Sequence, residues 1–236
     1  QCPGFDDLVD SDSGGLADLC DPCPSGLCDL TLPDEFYVEL SNVHVSRISR
    51  DGRWIAGYDS TTFQGVLIPT EELLANPGDT SYYEYLPDEQ VNEIRGFSDD
   101  NNIVLANIKT IVPESSTAVV AAALYDRTNQ SWRVLGLYDS AINVESCHFY
   151  SNGGDLTSDG RVIYGRTPTL ENACRYSAFR YDVMSDQWQI FTGGEGEVRK
   201  VESVSGGGSA IVGSAKSTVN NENAVLWSFT PPDLFT

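Results

Sequence analysis

The sequence predicts an all-β fold: a small β-propeller of four blades with four strands each, closed by pairing of an N-terminal strand with the C-terminal blade. Three observations lead there. The composition favours strands and turns, with 21 Gly, 11 Tyr and a single Met in 236 residues, and no long apolar stripe runs at helical period. One short motif recurs along the chain. A second motif follows it at a related place in each repeat.

The first motif appears as ISRDGRWIAG (Ile48 to Gly57), FSDDNNIVLA (Phe97 to Ala106), LTSDGRVIYG (Leu156 to Gly165) and VSGGGSAIVG (Val204 to Gly213). Each copy has an apolar residue, a hydroxyl residue, a polar or Gly-rich turn, and an apolar strand ending in a small residue. A polar turn between two apolar runs predicts a hairpin. The copies start 49, 59 and 48 residues apart, a spacing with room for four short strands.

The second motif is ALYDRTNQSWRVL from Ala123 and AFRYDVMSDQWQIF from Ala178. Both place Tyr-Asp, then five residues, then Trp: Tyr125-Asp126 to Trp132 and Tyr181-Asp182 to Trp188. This is a second hairpin, with the aromatics at equivalent positions where they pack the blades. The first repeat has a looser version, GVLIP followed by YYEYLP, and the fourth has AVLWSF from Ala224. The one short helical stretch is PTEELLAN, around Glu71 to Asn76.

The fourth repeat runs out of chain, because TPPDLFT after AVLWSF suits a turn better than a central strand. Its missing outer strand is predicted to come from the front. EFYVELSNVHVSRIS (Glu35 to Ser49) aligns with YYEYLPDEQVNEIRGFS (Tyr82 to Ser98) and WQIFTGGEGEVRKVESVS (Trp188 to Ser205). EFYVEL would then close the ring and remove a free edge. The predicted domains are residues 1–34, an acidic disulfide-rich segment, and residues 35–236, the propeller.

The S-x-D-G-x-x-I-x-G strand pair, followed by A-x-L-W or A-F-R-Y, resembles the repeats of bacterial extracellular proteins of the HAF type and the WD40-like repeats of TolB-type propellers. The resemblance covers about Phe36 to Phe229. It implies blade geometry and no chemistry.

The first 46 residues hold many carboxylates and no Lys or Arg. Within them Asp10, Asp12, Asp18 and Asp21 fall at positions 1, 3, 9 and 12 of a twelve-residue loop. Gly15 falls at the sharp-turn position and Leu16 at the backbone-carbonyl position of a calcium loop. A hard cation wants several oxygens at once, and alternating carboxylates on a tightly turned chain supply them. With its cysteines, DSDSGGLADLCDPCP resembles a thrombospondin type 3 calcium repeat, over Cys2 to Pro24. The sequence departs from that pattern at Gly14, where a ligand Asp is usual, and at Ala17, where Gly is usual. The resemblance implies calcium as the cofactor, held by Asp10, Asp12, Leu16, Asp18 and Asp21.

The six cysteines, Cys2, Cys20, Cys23, Cys28, Cys147 and Cys174, allow fifteen pairings, and spacing alone leaves them open. Zinc is disfavoured because Cys20, Cys23 and Cys28 lack a fourth strong ligand. A thioredoxin-like role is disfavoured because no βαβ context surrounds the C-x-x-C. The thrombospondin-like pattern implies Cys2 with Cys20 and Cys23 with Cys28, which leaves Cys147 with Cys174.

A net charge of −21 repels phosphate backbones and anionic lipid surfaces, so nucleic acid and membranes are excluded as expected partners. An even cysteine count and an N-terminal Gln predict a mature, secreted chain in an oxidising compartment. Cys2 is second rather than first, which argues against lipidation. For catalysis the sequence offers only His44 and His148, and no G-x-S-x-G elbow, H-E-x-x-H or phosphate loop. Cys147 and His148 are adjacent and on a strand would face opposite sides. Arg47, Arg95, Arg199 and Lys200 fall in the predicted innermost strands, where they would pair with carboxylates or line the ring axis. The expected function is a non-enzymatic, extracellular structural or adhesive protein, a self-associating filament or matrix subunit with the N-terminal segment as connector. The alternative is a carbohydrate- or protein-binding module, and a glycoside hydrolase is the least favoured.

Overall fold

The computed structural model describes residues 38–111, 118–136, 138, 151–169, 176–191, 197–216 and 222–228. The chain divides into two units at Glu39/Leu40, and apart from Val38 and Glu39 the described residues belong to the second.

That unit is built from antiparallel strands in chain order. The first sheet holds β1 (Val43–Ile48), β2 (Trp54–Asp59), β3 (Gln64–Pro69), β4 (Glu84–Phe97), β5 (Ile103–Thr110), β6 (Val119–Asp126) and β7 (Ser131–Val134), paired as a seven-stranded meander. The second holds β8 (Asn152–Leu156), β9 (Val162–Pro168), β10 (Tyr176–Asp182) and β11 (Gln187–Phe191). The third holds β12 (Glu197–Val204), β13 (Ala210–Lys216) and β14 (Glu222–Ser228). The short helix α1 (Thr70–Ala75) follows β3 and buries Leu73, matching the expected PTEELLAN stretch.

Every predicted hairpin of the first motif is present: β1–β2, β4–β5, β8–β9 and β12–β13. The second motif forms β6–β7 and β10–β11, with Tyr125 opposite Trp132 and Tyr181 opposite Trp188. Their ring centroids lie 5.0 and 4.9 Å apart, within the range of attractive tilted pairs.

One feature differs from expectation. The outer strand of the first repeat and the inner strand of the second are a single strand, β4. Glu84 and Tyr85 pair with β3, Gln90 pairs with both β3 and β5, and Val91 to Phe97 pair with β5 alone. Pro87 sits at the handover, where its missing N–H costs no ladder bond, and its carbonyl accepts the Trp132 indole N–H at 2.8 Å.

Successive repeats pack face to face through alternate residues. Leu67, Leu86 and Ala56 of the first repeat meet Ile94, Val104, Ala106 and Tyr125 of the second. The opposite face of the second, Leu105, Ala122 and Leu124, meets Leu156, Ile163 and Phe179 of the third. Tyr164 and Ala178 of the third meet Val198, Val201 and Ile211 of the fourth. Strands buried on both faces need near-continuous apolar runs, which is why β6 reads VVAAALY. Each fully buried Leu, Ile or Phe contributes about 1.5–3 kcal/mol.

Among the described residues the fourth repeat has three strands. Among the described residues nothing pairs with the outer edge of β14. Of the predicted closing strand, residues 35–37 lie outside the described residues, and Val38, Glu39 and Leu40 are not in a strand.

Candidate functional site

The inner strands of the four repeats, β1, the second half of β4, β8 and β12, share a device that periodicity does not reveal. Each carries a β-bulge at the same place. The pairing skips Ser46, Arg95, Gly154 and Glu202, while their neighbours Val45, Ile94, Gly153 and Val201 sit opposite Gly57, Ala106, Gly165 and Gly213. These partners are the small residues that end the first motif. The bulge explains them: a Cβ on Gly57, Gly165 or Gly213 would stand 2.2 Å from the carbonyl oxygen of His44, Asn152 or Lys200. A bulge also re-aims side chains, and here it directs polar groups to the junctions between repeats.

Arg95 is buried, donating to the carbonyls of Gly154 and Val201 at 3.2 Å each and to Glu93 at 2.7 Å. Glu202 lies 3.7 Å from it. Asp155 is also buried. One of its oxygens accepts from the Leu156 N–H, and the other from the Ser203 hydroxyl and the Val204 N–H. Asn107 grips both the N–H and the C=O of Gly153. Buried polar groups persist only when they are satisfied in this way.

The polar turns of the first motif form a second layer. In the first three, the hydroxyl of Ser49, Ser98 or Thr157 donates to Asp51, Asp100 or Asp159, and accepts from the N–H five residues on. The same carboxylate caps the N–H of Arg53, Asn102 or Arg161. Gly52, Asn101, Gly160 and Gly208 take positive φ at the equivalent place, which Gly and Asn tolerate. The fourth turn keeps the Ser205 hydroxyl-to-N–H bond but has Gly207 in place of the aspartate. The hydrogen bond from Ser98 leads those that hold the Asp100 carboxyl below its ordinary value. At Asp51 burial pushes upward, and the bonds from Ser49, Arg53 and Asn101 outweigh it.

Neighbouring turns are linked in a row. Asn101 donates to Asp51 at 2.8 Å, Asp99 N–H to the Ser158 carbonyl at 2.7 Å, and Ser158 N–H to the Gly206 carbonyl at 3.1 Å. Arg50 spans three repeats, reaching Asp99, the Ser158 hydroxyl and the Leu156 carbonyl.

Two clefts open beside this row. One of about 530 Å³ is lined by Val45, Arg47, Ile48, Phe97, Asp155 and Ser203. The other, of about 480 Å³, is lined by Arg50, Asp51, Asp99, Ser158, Val204 and Gly206. Both therefore bring together first-repeat and fourth-repeat residues. Arg47 bridges this junction through the Glu202 carbonyl at 3.4 Å and Asp155 at 3.6 Å. The apolar groups here are exposed: Val45 and Ile48 on the face of the first repeat turned away from its core, and the cross-strand neighbours Val212 and Leu226 on the corresponding face of the fourth. Leu226 is 66% exposed.

Of the basic residues expected in the innermost strands, Arg47 lines a cleft, Arg95 is a buried tie, Lys200 pairs with Glu202 at 2.7 Å, and the Arg199 carbonyl accepts from Arg166. His44 stacks on Tyr58 at 4.9 Å. The predicted calcium ligands Asp10, Asp12, Leu16, Asp18 and Asp21, and all six cysteines with His148, lie outside the described residues. The sequence alone does not mark Asp155, Asn107 or Arg50 as functional. The Gly153-Gly154-Asp155 run before the third turn was the available signal.

No family model matches the chain, and no curated protein matches its sequence. Among solved structures it is similar to TolB from Acinetobacter baumannii, with a TM-score of 0.55 and 16% identity over 79% of this chain and 40% of that one. It is similar also to a putative TolB from Agrobacterium tumefaciens, with a TM-score of 0.55 and 15% identity over 79% of this chain and 57% of that one. The chain thus spans only part of these relatives. At such identity the likeness shows the fold alone, and that fold is the TolB-like β-propeller.

Proposed function

We propose that this chain is an extracellular, non-catalytic β-propeller module whose copies associate with one another. Its four repeats form four blades, and a Glu35–Leu40 segment supplies the strand that completes the last blade. The carrying observation is the contrast between the two ends of the row of repeats and its interior. Inside, the polar groups of the bulges and turns bond to neighbouring repeats. On the outward sheet faces of the end repeats Val45, Ile48, Val212 and Leu226 are exposed and β14 has no described partner, whereas the exposed Ile111 and Met184 of the inner repeats lie outside their strands. Exposed apolar groups on a sheet face beside a strand edge with no described partner favour an interaction site. The buried Arg95 and Asp155 are engaged in ties between repeats, a use that favours a scaffold over an acid–base centre.

In this reading residues 1–34 are the connector. Asp10, Asp12, Asp18, Asp21 and the Leu16 carbonyl hold a calcium ion, and disulfides brace the segment. Calcium relieves the repulsion of the carboxylates, so its removal loosens the connector. Electron microscopy and light scattering of the whole protein, with and without a calcium chelator, test this. Assemblies that dissociate on chelation are expected. Single particles of uniform size, unchanged by the chelator, would contradict it.

A further inference from the structure

We infer that the outer edge of β14 is a strand-acceptor site, and that its occupant is Glu35–Leu40 of a second copy of this chain. The inference rests on the associating-module reading and names the contact that carries it.

Among the described residues the third sheet is one strand short of the second, which it otherwise repeats. Gly213 lies opposite Val225 as Gly165 lies opposite Phe179, so β14 corresponds to β10. In the second sheet β10 is covered by β11, with Ile190 opposite Phe179 and Trp188 opposite Tyr181. The edge of β14 therefore has the form of a position that a strand fills elsewhere in the same chain. The sheet face beside that edge is apolar, with Leu226 66% and its cross-strand neighbour Val212 45% exposed. A strand edge with no partner among the described residues, beside such side chains, is a template for strand addition.

The occupant follows from the repeat. EFYVEL stands where WQIF stands in the alignment of the units, with Phe36, Val38 and Leu40 alternating with Glu35, Tyr37 and Glu39. That alternation suits a strand with one face on a core and one facing outward.

Two observations place the donor on another copy. The described part of the segment, Val38 to Leu40, is not paired with β14 of its own chain. The chain turns at Asn42, with φ 62°, and the Asn42 carbonyl is held by the Ser60 N–H and hydroxyl. The approach to β1 is thus a fixed turn, where β4 passes from one sheet position to the next as one continuous strand. A donor that leaves its own ring joins copies head to tail, an arrangement that propagates.

The test uses full-length chains with one added cysteine each. One chain carries Tyr37→Cys or Glu39→Cys and the other carries Leu226→Cys. They are mixed and joined by a short bismaleimide. A covalent heterodimer is expected, at least tenfold above a control pairing Leu226→Cys with Lys109→Cys. A chain carrying both cysteines that cross-links only within itself would overturn the inference, because the strand would then close its own ring. Absence of any cross-link would overturn it too, and assemblies still seen by microscopy would show that the associating-module reading survives through another contact. Circular dichroism checks that each variant folds. Leu226→Lys supplies an independent arm: it should abolish assembly while leaving the spectrum unchanged, and persistence of assembly would count against β14.

Discussion

Gly207 shows how much a single residue can carry in a repeat fold. Three turns place an aspartate between the hydroxyl residue and the N–H it caps, and the fourth places Gly207 there. A Cβ at Gly207 meets nothing within 4 Å, and its φ is not in the left-handed region. Gly207→Asp should restore the missing hydrogen bonds and reduce the freedom of the unfolded chain, stabilising by about 1 kcal/mol. For a domain of this size that raises Tm by about 2–4 °C, and Gly207→Ala isolates the entropic part. The sign with pH is fixed by Asp51 and Asp100, whose folded pKa values lie below the ordinary 3.8. Stability from such a group is fully present above 3.8 and is lost as pH falls through the lower folded value. The advantage of Gly207→Asp over Gly207→Ala should therefore vanish in thermal melts taken below that window.

At the scale of the element, the bulge is the unit that organises the molecule. Gly165→Ala tests it, since its Cβ would stand 2.2 Å from the Asn152 carbonyl and 2.7 Å from the Phe179 ring. Backbone and a packed aromatic cannot both yield, so we expect a loss of about 2–3 kcal/mol in denaturant melts. Ala106 tolerates a methyl at the equivalent place in the second repeat, and an unchanged midpoint for Gly165→Ala would show that the third bulge relaxes as easily.

The hairpins, their turns and the Tyr–Trp pairs were legible in the sequence because alternation and turn chemistry are local. The bulges were not, because one extra residue is hidden inside a strand whose period is otherwise two. The small residues ending the first motif were visible as a pattern, and their cause became clear only once the His44, Asn152 and Lys200 carbonyls were placed against them. Arg95 was placed correctly in an inner strand, but its aim at Gly154 and Val201 depends on the bulge that turns it. The merger of two strands into β4 was masked by Pro87, which reads as a break and sits where no ladder bond is needed.

At the scale of the whole molecule, the account turns on how a row of repeats ends. The interior junctions are packed by Phe97, Leu105, Phe179 and Tyr164 and tied by Arg50, Asn107 and Asp155. The first and last repeats leave Val45, Ile48, Val212 and Leu226 exposed. The most direct measurement is hydrogen exchange at the β14 amides, Glu222 to Ser228, in the whole protein over a range of concentrations. The account predicts that the outward-facing amides are protected at high concentration and exchange freely on dilution. Protection that is equal at every concentration, or absent at all of them, would contradict it.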